Sequence, residues 1–254
     1  MITDLQKASL LKRIAAGIFD LILICVLAVG FAWALTAITN YNGYNKALAD
    51  GYAKYEQQYG VTFDISQEAY DAMSEEQKQT YDSAYKALIE DKDVIKNYNV
   101  VLNLTLLITT FGILLALVAL EFVVPLCLKN GQTIGKKIFG IGLIRADGVA
   151  MNNIQLFVRT ILGKFTIEIM VPIYIIIMIL FNSIGTLGII IIGGILLVQL
   201  ISVIATSTNS LIHDMLAGTV AVDLTSQMIF RTTQDLIAYK TKIHAEQAAR
   251  SDYK

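Results

Sequence analysis

Acidic side chains inside or beside long apolar stretches are the residues of this chain best suited to chemistry, namely Asp20, Glu121, Glu168 and Asp214. A carboxylate that is ionised in lipid costs about 2.5 to 3.5 kcal/mol or more, so each should meet protein, water or a cation. Burial raises the pKa of such a group, and neighbouring cations lower it. Carboxylates in this setting can therefore bind or relay a cation or a proton.

Basic side chains border the same stretches. Arg13 precedes Asp20 by seven residues, which is close to two helical turns, so both project from one face of a helix. Arg159 and Lys164 precede Glu168. We expect these cations to neutralise the acids in one polar cluster. Two interpretations stay open: a buried ion network that only fixes the helix ends, or a site that coordinates or relays a cation or proton.

Each of the two prolines in the chain follows a glutamate by four residues, in the pairs Glu121 with Pro125 and Glu168 with Pro172. A proline removes the donor that the carbonyl four residues earlier would use in a helix. Each pair therefore predicts a kinked helix in which a carboxylate lies beside a carbonyl without its usual donor. In a bilayer, protein, water or an ion must satisfy such a carbonyl.

The composition that surrounds these groups indicates a membrane protein. Of the 254 residues, 55% are hydrophobic and only 16% are charged, and the mean hydropathy is +0.59. A crossing needs roughly 20 apolar residues. Four segments approach or exceed that length: Ile14–Ile38, Val101–Leu128, Ile154–Leu180 and Thr186–Ile204. Glycines that predict close helix packing in the fourth segment are Gly185, Gly188, Gly193 and Gly194.

The basic residues predict the orientation of these segments. Four crossings place both termini on one side, and Lys and Arg concentrate before the first segment, between Lys129 and Lys164, and after the fourth segment. Cytoplasmic loops carry an excess of Lys and Arg, so we expect a multi-pass protein of the plasma membrane with both termini in the cytoplasm. Asp20, Glu121 and Glu168 should then all lie in the cytoplasmic third of the bilayer.

Residues 40–100 predict an extracytoplasmic helical hairpin. This segment holds nine of the 12 tyrosines. Two stripes with steps of three or four residues lie on either side of Gly60: Tyr41, Tyr44, Leu48, Tyr52, Tyr55 and Tyr59, and then Met73, Gln77, Tyr81, Tyr85 and Leu88. Ser74 and Gln77 match a capping box that begins the second helix. We interpret the tyrosines as the core of the hairpin, and a surface for a ligand or partner is the alternative.

The cytoplasmic side combines glycine-rich and amphipathic segments. The motif residues of its loop are Gly131, Thr133, Gly135 and Lys136. An Asp-Gly pair at 147–148, between apolar residues, predicts a β-hairpin in the same loop. Residues 218–224 alternate like a further strand, behind a short interfacial helix that Gly218 ends.

The sequence thus predicts an all-α membrane protein with four transmembrane helices, an extracytoplasmic helical hairpin and a small cytoplasmic β-containing region. The predicted segments are 1–39 (N-terminus and first transmembrane helix), 40–100 (Tyr-rich hairpin), 101–128 (second transmembrane helix), 129–153 (Gly-rich loop with β-hairpin), 154–204 (third and fourth transmembrane helices), 205–225 (interfacial helix and strand) and 226–254 (cytoplasmic amphipathic tail).

Several functional classes are disfavoured. The Gly131 loop has the wrong spacing for a phosphate loop, and no Gly-x-Ser-x-Gly or His-Glu-x-x-His motif occurs. With two histidines, and two cysteines inside apolar runs, we expect no metal site, no cofactor and no structural disulfide. No long basic patch suggests nucleic acid. An aspartyl protease would need Asp20 and Asp214 to face each other, so we expect a protein that is not an enzyme.

Motifs at the cytoplasmic ends of the apolar segments resemble those of the RDD family of membrane proteins. They are Arg13 and Asp20 in the first segment, GQTIGKK from Gly131, and HDMLAGT from His213. The arginine and two aspartates that name the family correspond here to Arg13, Asp20 and Asp214. The resemblance implies a membrane protein of largely unassigned activity, for which transport is repeatedly suggested, and it supplies no substrate.

Two functions from different classes follow as expectations. The first is transport of a small ion or solute, such as cation and proton exchange, through the polar cluster of Asp20, Glu121, Glu168, Asp214, Arg13, Arg159 and Lys164. Four spans enclose little volume, so we expect a homo-oligomer or a membrane protein partner within the lipid bilayer. The second is an accessory or regulatory protein that binds a membrane partner through its outer hairpin or cytoplasmic tail.

Overall fold

The structure is a computed structural model that describes residues 5–128, 131–169, 185–206 and 210–251. Most of these residues are helical. The α-helices are α1 (Leu10–Ile38), α2 (Tyr41–Tyr59), α3 (Gln67–Asp71), α4 (Glu75–Glu90), α5 (Lys92–Val118), α6 (Val124–Cys127), α7 (Ile134–Ile138), α8 (Asn153–Phe157), α9 (Gly185–Ala205), α10 (Ile212–Ala217) and α11 (Thr233–Ser251). Two π-helical segments, Ala119–Val123 and Val158–Glu168, and two strands, β1 (Ile141–Arg145) and β2 (Thr219–Asp223), complete the elements.

Two helices among the described residues are long and apolar enough to cross a membrane, Leu10–Ile38 and Lys92–Cys127. The third predicted span begins in α8 and the π-helical segment Val158–Glu168, and the fourth lies within α9. Of the third, Ile154–Leu180, residues beyond 169 lie outside the described residues. The fourth corresponds to α9, in which the part Gly193–Ala205 counts as a shorter apolar helix.

The second long helix begins nine residues before the predicted segment, at Lys92 instead of Val101. Asp91 explains the difference. Its Oδ1 accepts hydrogen bonds from the backbone N–H groups of Asp93, at 2.9 Å, and Val94, at 3.3 Å. An aspartate that satisfies the first N–H groups of a helix is a favoured N-cap. Hydropathy marks where apolar residues begin, whereas the cap marks where the helix begins.

The helix geometry changes where Pro125 was expected to perturb it. Residues Ala119–Val123 are π-helical, and Pro125 lies in the short helix that follows. The Thr160 hydroxyl donates to the carbonyl oxygen of Glu121 at 3.4 Å. Protein therefore satisfies the carbonyl that the proline deprives of its donor. The other predicted pair is Glu168 with Pro172, and Pro172 lies outside the described residues.

The small sheet pairs the strand before the Asp-Gly turn with the strand predicted at 218–224. β1 pairs with β2 in antiparallel register, from Ile141 opposite Asp223 to Arg145 opposite Thr219. After the turn at 146–148 the chain also returns along β1, where the backbone N–H of Arg145 donates to the carbonyl oxygen of Val149 at 2.8 Å and an isolated bridge joins Ile144 to Ala150. The pairing with β2 is the longer one, and the return across the Asp-Gly turn is short.

Each face of this sheet packs against a different part of the chain. Buried side chains alternate along a strand, as the pleat requires. One face carries Ile141 and Leu143, which pack with Ala16 of α1. The other carries Ile144, Val220 and Val222. The sheet thereby holds the preceding loop, residues 131–140, against the first turns of α1.

The described chain divides into two compact units, residues 1–24 with 117–254, and residues 25–116. The first unit holds the sheet and the ends of several helices. The second holds α2, α3, α4 and most of α5. In the second unit, Phe63 lies at the centre of an aromatic cluster, with ring centroids 5.9 Å from Tyr52, 5.8 Å from Tyr81 and 6.4 Å from Tyr85. The tyrosine pattern alone did not identify Phe63.

Among the described residues, a Cβ atom placed at Gly193 or Gly194 of α9 would meet no atom within 4 Å, and the role of these glycines in close packing stays a prediction. A close approach that requires glycine occurs at Gly135. A Cβ atom at Gly135 would lie 2.3 Å from the carbonyl oxygen of Ala16, so only glycine fits there.

Candidate functional site

Asp20 binds the loop that precedes β1. Its Oδ2 accepts from the Thr133 hydroxyl at 2.5 Å, and its Oδ1 accepts from the backbone N–H of Gly135 at 2.8 Å. The side chain is buried. Both of these donors are uncharged, and the charge of Lys136 in the same loop also interacts with Asp20. Hydrogen bonds from backbone N–H groups and hydroxyls stabilise a carboxylate.

The loop that Asp20 binds is shaped for this contact. Thr133 is the N-cap of α7, because its hydroxyl oxygen also accepts from the backbone N–H of Lys136 at 3.3 Å. Gly131 has a φ of 61°, in the left-handed region that favours glycine. Gln132 donates from Nε2 to the carbonyl oxygen of Ile141 at 2.8 Å. The loop motif is thus a rigid connector between α1 and β1.

Asp214 is held by two arginines. Arg159 Nε donates to Oδ1 at 2.8 Å, and Arg13 Nη2 lies 3.8 Å from Oδ2. Thr219 also donates from its hydroxyl to Oδ1, at 3.2 Å. Burial raises the pKa of Asp214, but the charges of Arg159 and Arg13 outweigh that effect and hold the pKa well below its usual range. The carboxylate is ionised at neutral pH, and it joins α1, the π-helical segment Val158–Glu168 and β2.

Glu168 binds the residue before Asp214. Its Oε2 lies 2.7 Å from Nδ1 of His213, and its Oε1 accepts from the backbone N–H of the same histidine at 2.5 Å. The other ring nitrogen, Nε2, lies 2.8 Å from Nη2 of Arg159. Burial lowers the pKa of His213, and the charge of Arg159 adds to that effect. The imidazole is therefore neutral at pH 7.

Glu121 is paired with a lysine. Lys164 Nζ lies 2.6 Å from Oε1 of Glu121, and the glutamate is buried. Lys136 of α7 is half-buried nearby, and its charge interacts with Glu121. Burial lowers the pKa of Lys136 to about 8, the charges of Arg159 and Lys164 add to that effect, and the Glu121 carboxylate opposes it. One carboxylate is thus flanked by two amines.

All of the predicted cluster residues lie in the first compact unit. The structure distributes them over three contacts that neighbour one another along the π-helical segment Val158–Glu168: Arg13 and Arg159 with Asp214, Glu168 with His213, and Lys164 with Glu121. Asp20 contacts the 131–136 loop instead.

Sequence reasoning missed the roles of His213, Thr160 and Gly163 in these contacts, and it named Thr133 as a motif residue of the loop without its contact to Asp20. His213 had a signal, because it precedes Asp214 in a recognised motif, but adjacent helical residues are not expected to share partners. Thr133 had a capping signal. Thr160 and Gly163 had none. A Cβ atom at Gly163 would lie 2.9 Å from Cβ of His213, so this glycine permits the close packing of α10 on the π-helical segment.

The fold and the site together define a mostly helical membrane protein with a buried, charge-compensated cluster at the ends of its helices. The model of the RDD family matches residues 7–218, which include every residue of the cluster. The chain belongs to the RDD family, and the resemblance inferred from the motifs is confirmed. No match to this chain was found among curated proteins or among solved structures.

Proposed function

We propose that this RDD-family protein exchanges a small inorganic cation for a proton across the membrane, at the carboxylate of Glu121. The protein would have four spans, both termini in the cytoplasm of the plasma membrane, and a homo-oligomeric or partner-bound assembly. The observation that carries the proposal is the contact of buried Glu121 with the ammonium of Lys164, at 2.6 Å.

The type of base distinguishes this carboxylate from Asp214. A guanidinium stays charged under all ordinary conditions and binds carboxylates through a planar fork. An ammonium is a point charge on a flexible stem, and its pKa shifts readily on burial. A carboxylate that is paired with lysine can therefore lose its partner by movement of the flexible stem, whereas one that is paired with arginine keeps it.

Exposure supports the same distinction. The side chain of Lys164 is 24% exposed, so its ammonium can turn towards solvent when another cation occupies Glu121. The side chain of Arg159 is only 6% exposed. Displacing Arg159 would leave a guanidinium buried and unpaired, which is costly. Displacing Lys164 from Glu121 therefore costs less free energy than displacing Arg159 from Asp214.

Lys136 supplies a group that can release the exchanged proton. Its pKa of about 8 lies close to neutrality, and its loss of a proton removes one positive charge from the surroundings of Glu121. A cation that binds the carboxylate then restores the balance of charge. In this scheme one proton leaves as one cation binds, because a buried site tolerates little net charge.

Reconstituted vesicles test this proposal. The purified protein is placed in liposomes that contain a pH-sensitive dye, and Na⁺, K⁺ or Li⁺ is added outside. We expect at least one of these cations to drive a pH change that Glu121→Gln removes. Asp223→Asn is the matched control, because Asp223 also pairs with a lysine at 2.6 Å in the same unit, namely Lys12, and lies outside the cluster. Equal flux in the parent and Glu121→Gln would contradict the proposal.

The second candidate is an accessory protein that binds a membrane partner through residues 40–100. Exposed apolar side chains on α4 and α5 favour it, namely Tyr85, Ile89, Ile95 and Tyr98. Their exposed fractions, from 41% to 50%, leave a face that a partner can cover. Absence of cation-driven flux from the unmodified protein in the same vesicles would favour this candidate over exchange.

A further inference from the structure

His213 stands between an acid and a base, and it is almost fully buried. Its Nδ1 lies 2.7 Å from Oε2 of Glu168, and its Nε2 lies 2.8 Å from Nη2 of Arg159. A guanidinium has donors only, and an ionised carboxylate has acceptors only. Nε2 must therefore accept from Arg159, and Nδ1 must donate its proton to Glu168. The two neighbours select one neutral tautomer of the imidazole.

We propose that His213 is a proton-controlled link: when neutral it joins Glu168 to Arg159, and when protonated at Nε2 it releases Arg159 and turns to Asp214. A protonated Nε2 is a donor, so it cannot keep its contact with the donor Nη2 of Arg159. Oδ2 of Asp214 lies 3.7 Å from Nε2 and is the acceptor within reach. The added proton stays on the imidazole, and no other bond is made or broken.

The charged groups around His213 belong to three elements. The π-helical segment contributes Glu168 and Arg159, α10 contributes Asp214, and α1 contributes Arg13, which lies 3.8 Å from Oδ2 of Asp214. With His213 neutral, two carboxylates face two guanidinium groups. Protonation adds a third positive charge to this buried set, which opposes the contact between His213 and Arg159 while both arginines stay with Asp214.

The balance of these groups sets the direction of the pH response. Burial and the charge of Arg159 lower the pKa of His213 from its ordinary value of 6.5, against the opposing effects of Glu168 and Asp214. Stability from the neutral link is therefore fully present above pH 6.5 and decreases as pH falls below that value. Acidification weakens the link, and alkaline conditions leave it intact.

The packing shows what the link controls. Gly163 brings the π-helical segment so close to α10 that a Cβ atom there would lie 3.0 Å from Cα of His213. Asp214 connects α10 to β2 through Thr219. Loss of the contact between Arg159 Nη2 and His213 therefore removes one of the contacts that hold α10 to the π-helical segment, while Arg159 Nε keeps its contact with Asp214. An effect on exchange at Glu121 rests on the proposed function, because Thr160, next to Arg159, contacts that glutamate. The proposed link of His213 with Glu168 and Arg159 does not rest on the proposed function.

Nuclear magnetic resonance of the full chain in lipid nanodiscs, labelled with ¹⁵N-histidine, tests the link without a transport assay. His244→Gln, on exposed α11, leaves His213 as the sole histidine and assigns its signals. At about pH 7.5 we expect the Nδ1–H tautomer, and a titration midpoint below that of a solvated histidine. The Nε2–H tautomer, or an ordinary midpoint, would overturn the proposal.

A variant of the acid sharpens this measurement. Glu168→Gln keeps an acceptor near Nδ1 and removes the charge that favours protonation, so we expect the midpoint of His213 to fall by about one pH unit or more. An unchanged midpoint in a folded Glu168→Gln protein would show that the two groups are not coupled and would refute the link. If this variant does not fold, the tautomer of the His244→Gln protein still decides the question.

Hydrogen exchange measures the consequence for α10. After correction for intrinsic rates, we expect the amides of residues 212–217 to exchange several-fold faster at about pH 5.5 than at about pH 7.5. His213→Asn places an amide near the position of Nδ1 and cannot be protonated, so it should remove this pH dependence. Acid-dependent opening that persists in His213→Asn would assign the effect to another group and overturn the proposal. If vesicle flux is absent while this opening of α10 is present, the result counts against cation exchange and not against the link at His213.

Discussion

Asp214 and Glu121 are two buried carboxylates that bind bases of the same π-helical segment, five residues apart at Arg159 and Lys164. At Asp214 the base is a buried guanidinium, a second arginine stands behind it, and the pKa of the acid is strongly lowered. At Glu121 the base is a partly exposed ammonium. The comparison teaches that equal burial of two acids does not imply equal function. The chemistry of the partner distinguishes a pair held by a buried guanidinium from a pair held by a partly exposed ammonium, and only the second exchanges its cation in the proposed function.

Removing the charge of Asp214 should produce the largest effect. Asp214→Asn leaves two buried guanidinium groups without their carboxylate, and we expect a loss of about 3 to 5 kcal/mol in the free energy of unfolding. Glu121→Gln should cost clearly less, because Lys164 can turn to solvent. Thermal unfolding in one detergent measures both. Equal losses would abolish the distinction between the two pairs.

Acid should reproduce the effect of Asp214→Asn in the unmodified protein. The pKa of Asp214 is lowered in the folded state, so its contribution to stability is present above the ordinary value of 3.8 and is lost as pH falls below it. The unfolding midpoint should therefore decrease steeply below about pH 4 in the parent. A similar decrease in Asp214→Asn would show that another carboxylate is responsible.

Gly135 extends the comparison to a third carboxylate, Asp20, whose hydrogen-bond donors are uncharged. Gly135→Ala places a methyl group 2.3 Å from the Ala16 carbonyl oxygen and 2.9 Å from Cγ of Asp20, so we expect a loss of about 1 to 3 kcal/mol. Gly193→Ala is the matched control, because a Cβ atom there would meet no atom of residues 5–128, 131–169, 185–206 or 210–251 within 4 Å. Unfolding midpoints of the two variants should differ, and equal midpoints would contradict the close approach.

Replacing the lysine by arginine in one pair and the arginine by lysine in the other should separate effects on protein stability from effects on cation flux. Lys164→Arg keeps the charge beside Glu121 but removes the mobile ammonium, so we expect little change in unfolding and a marked loss of cation exchange. Arg159→Lys should do the reverse, because a lysine cannot contact both Asp214 and His213 as Arg159 does. Vesicle flux and thermal unfolding are measured on both. Full exchange in Lys164→Arg would argue against displacement of the ammonium.

Lys136 should have the smallest effect, a shift in pH dependence. Its ammonium loses its proton above about pH 8, so exchange in the parent should increase as pH rises through that value. Lys136→Gln, which is always neutral, should stay active at lower pH, and Lys136→Arg, which is always charged, should stay low. The three pH profiles come from one vesicle assay. Superimposable profiles would remove Lys136 from the exchange step.

The sequence by itself determined the membrane class, the RDD family and the presence of buried carboxylates that need partners. Hydropathy and motifs are local properties, so they can be recognised without a fold. The capping box of Ser74 and Gln77 is local in the same way, and both of its hydrogen bonds are present.

Only the tertiary structure decided which partner each acid receives. Asp20 takes a hydroxyl and a backbone N–H from a loop more than a hundred residues away, and β1 forms a longer pairing with the distant β2 than with residues 149–150 across the nearby turn. His213 gains its tautomer from Glu168 and Arg159, which α10 meets only because Gly163 has no side chain. The sequence alone does not say which acid pairs with which base. Packing selects the pairs, because a buried ion accepts only the partner whose backbone can approach closely enough.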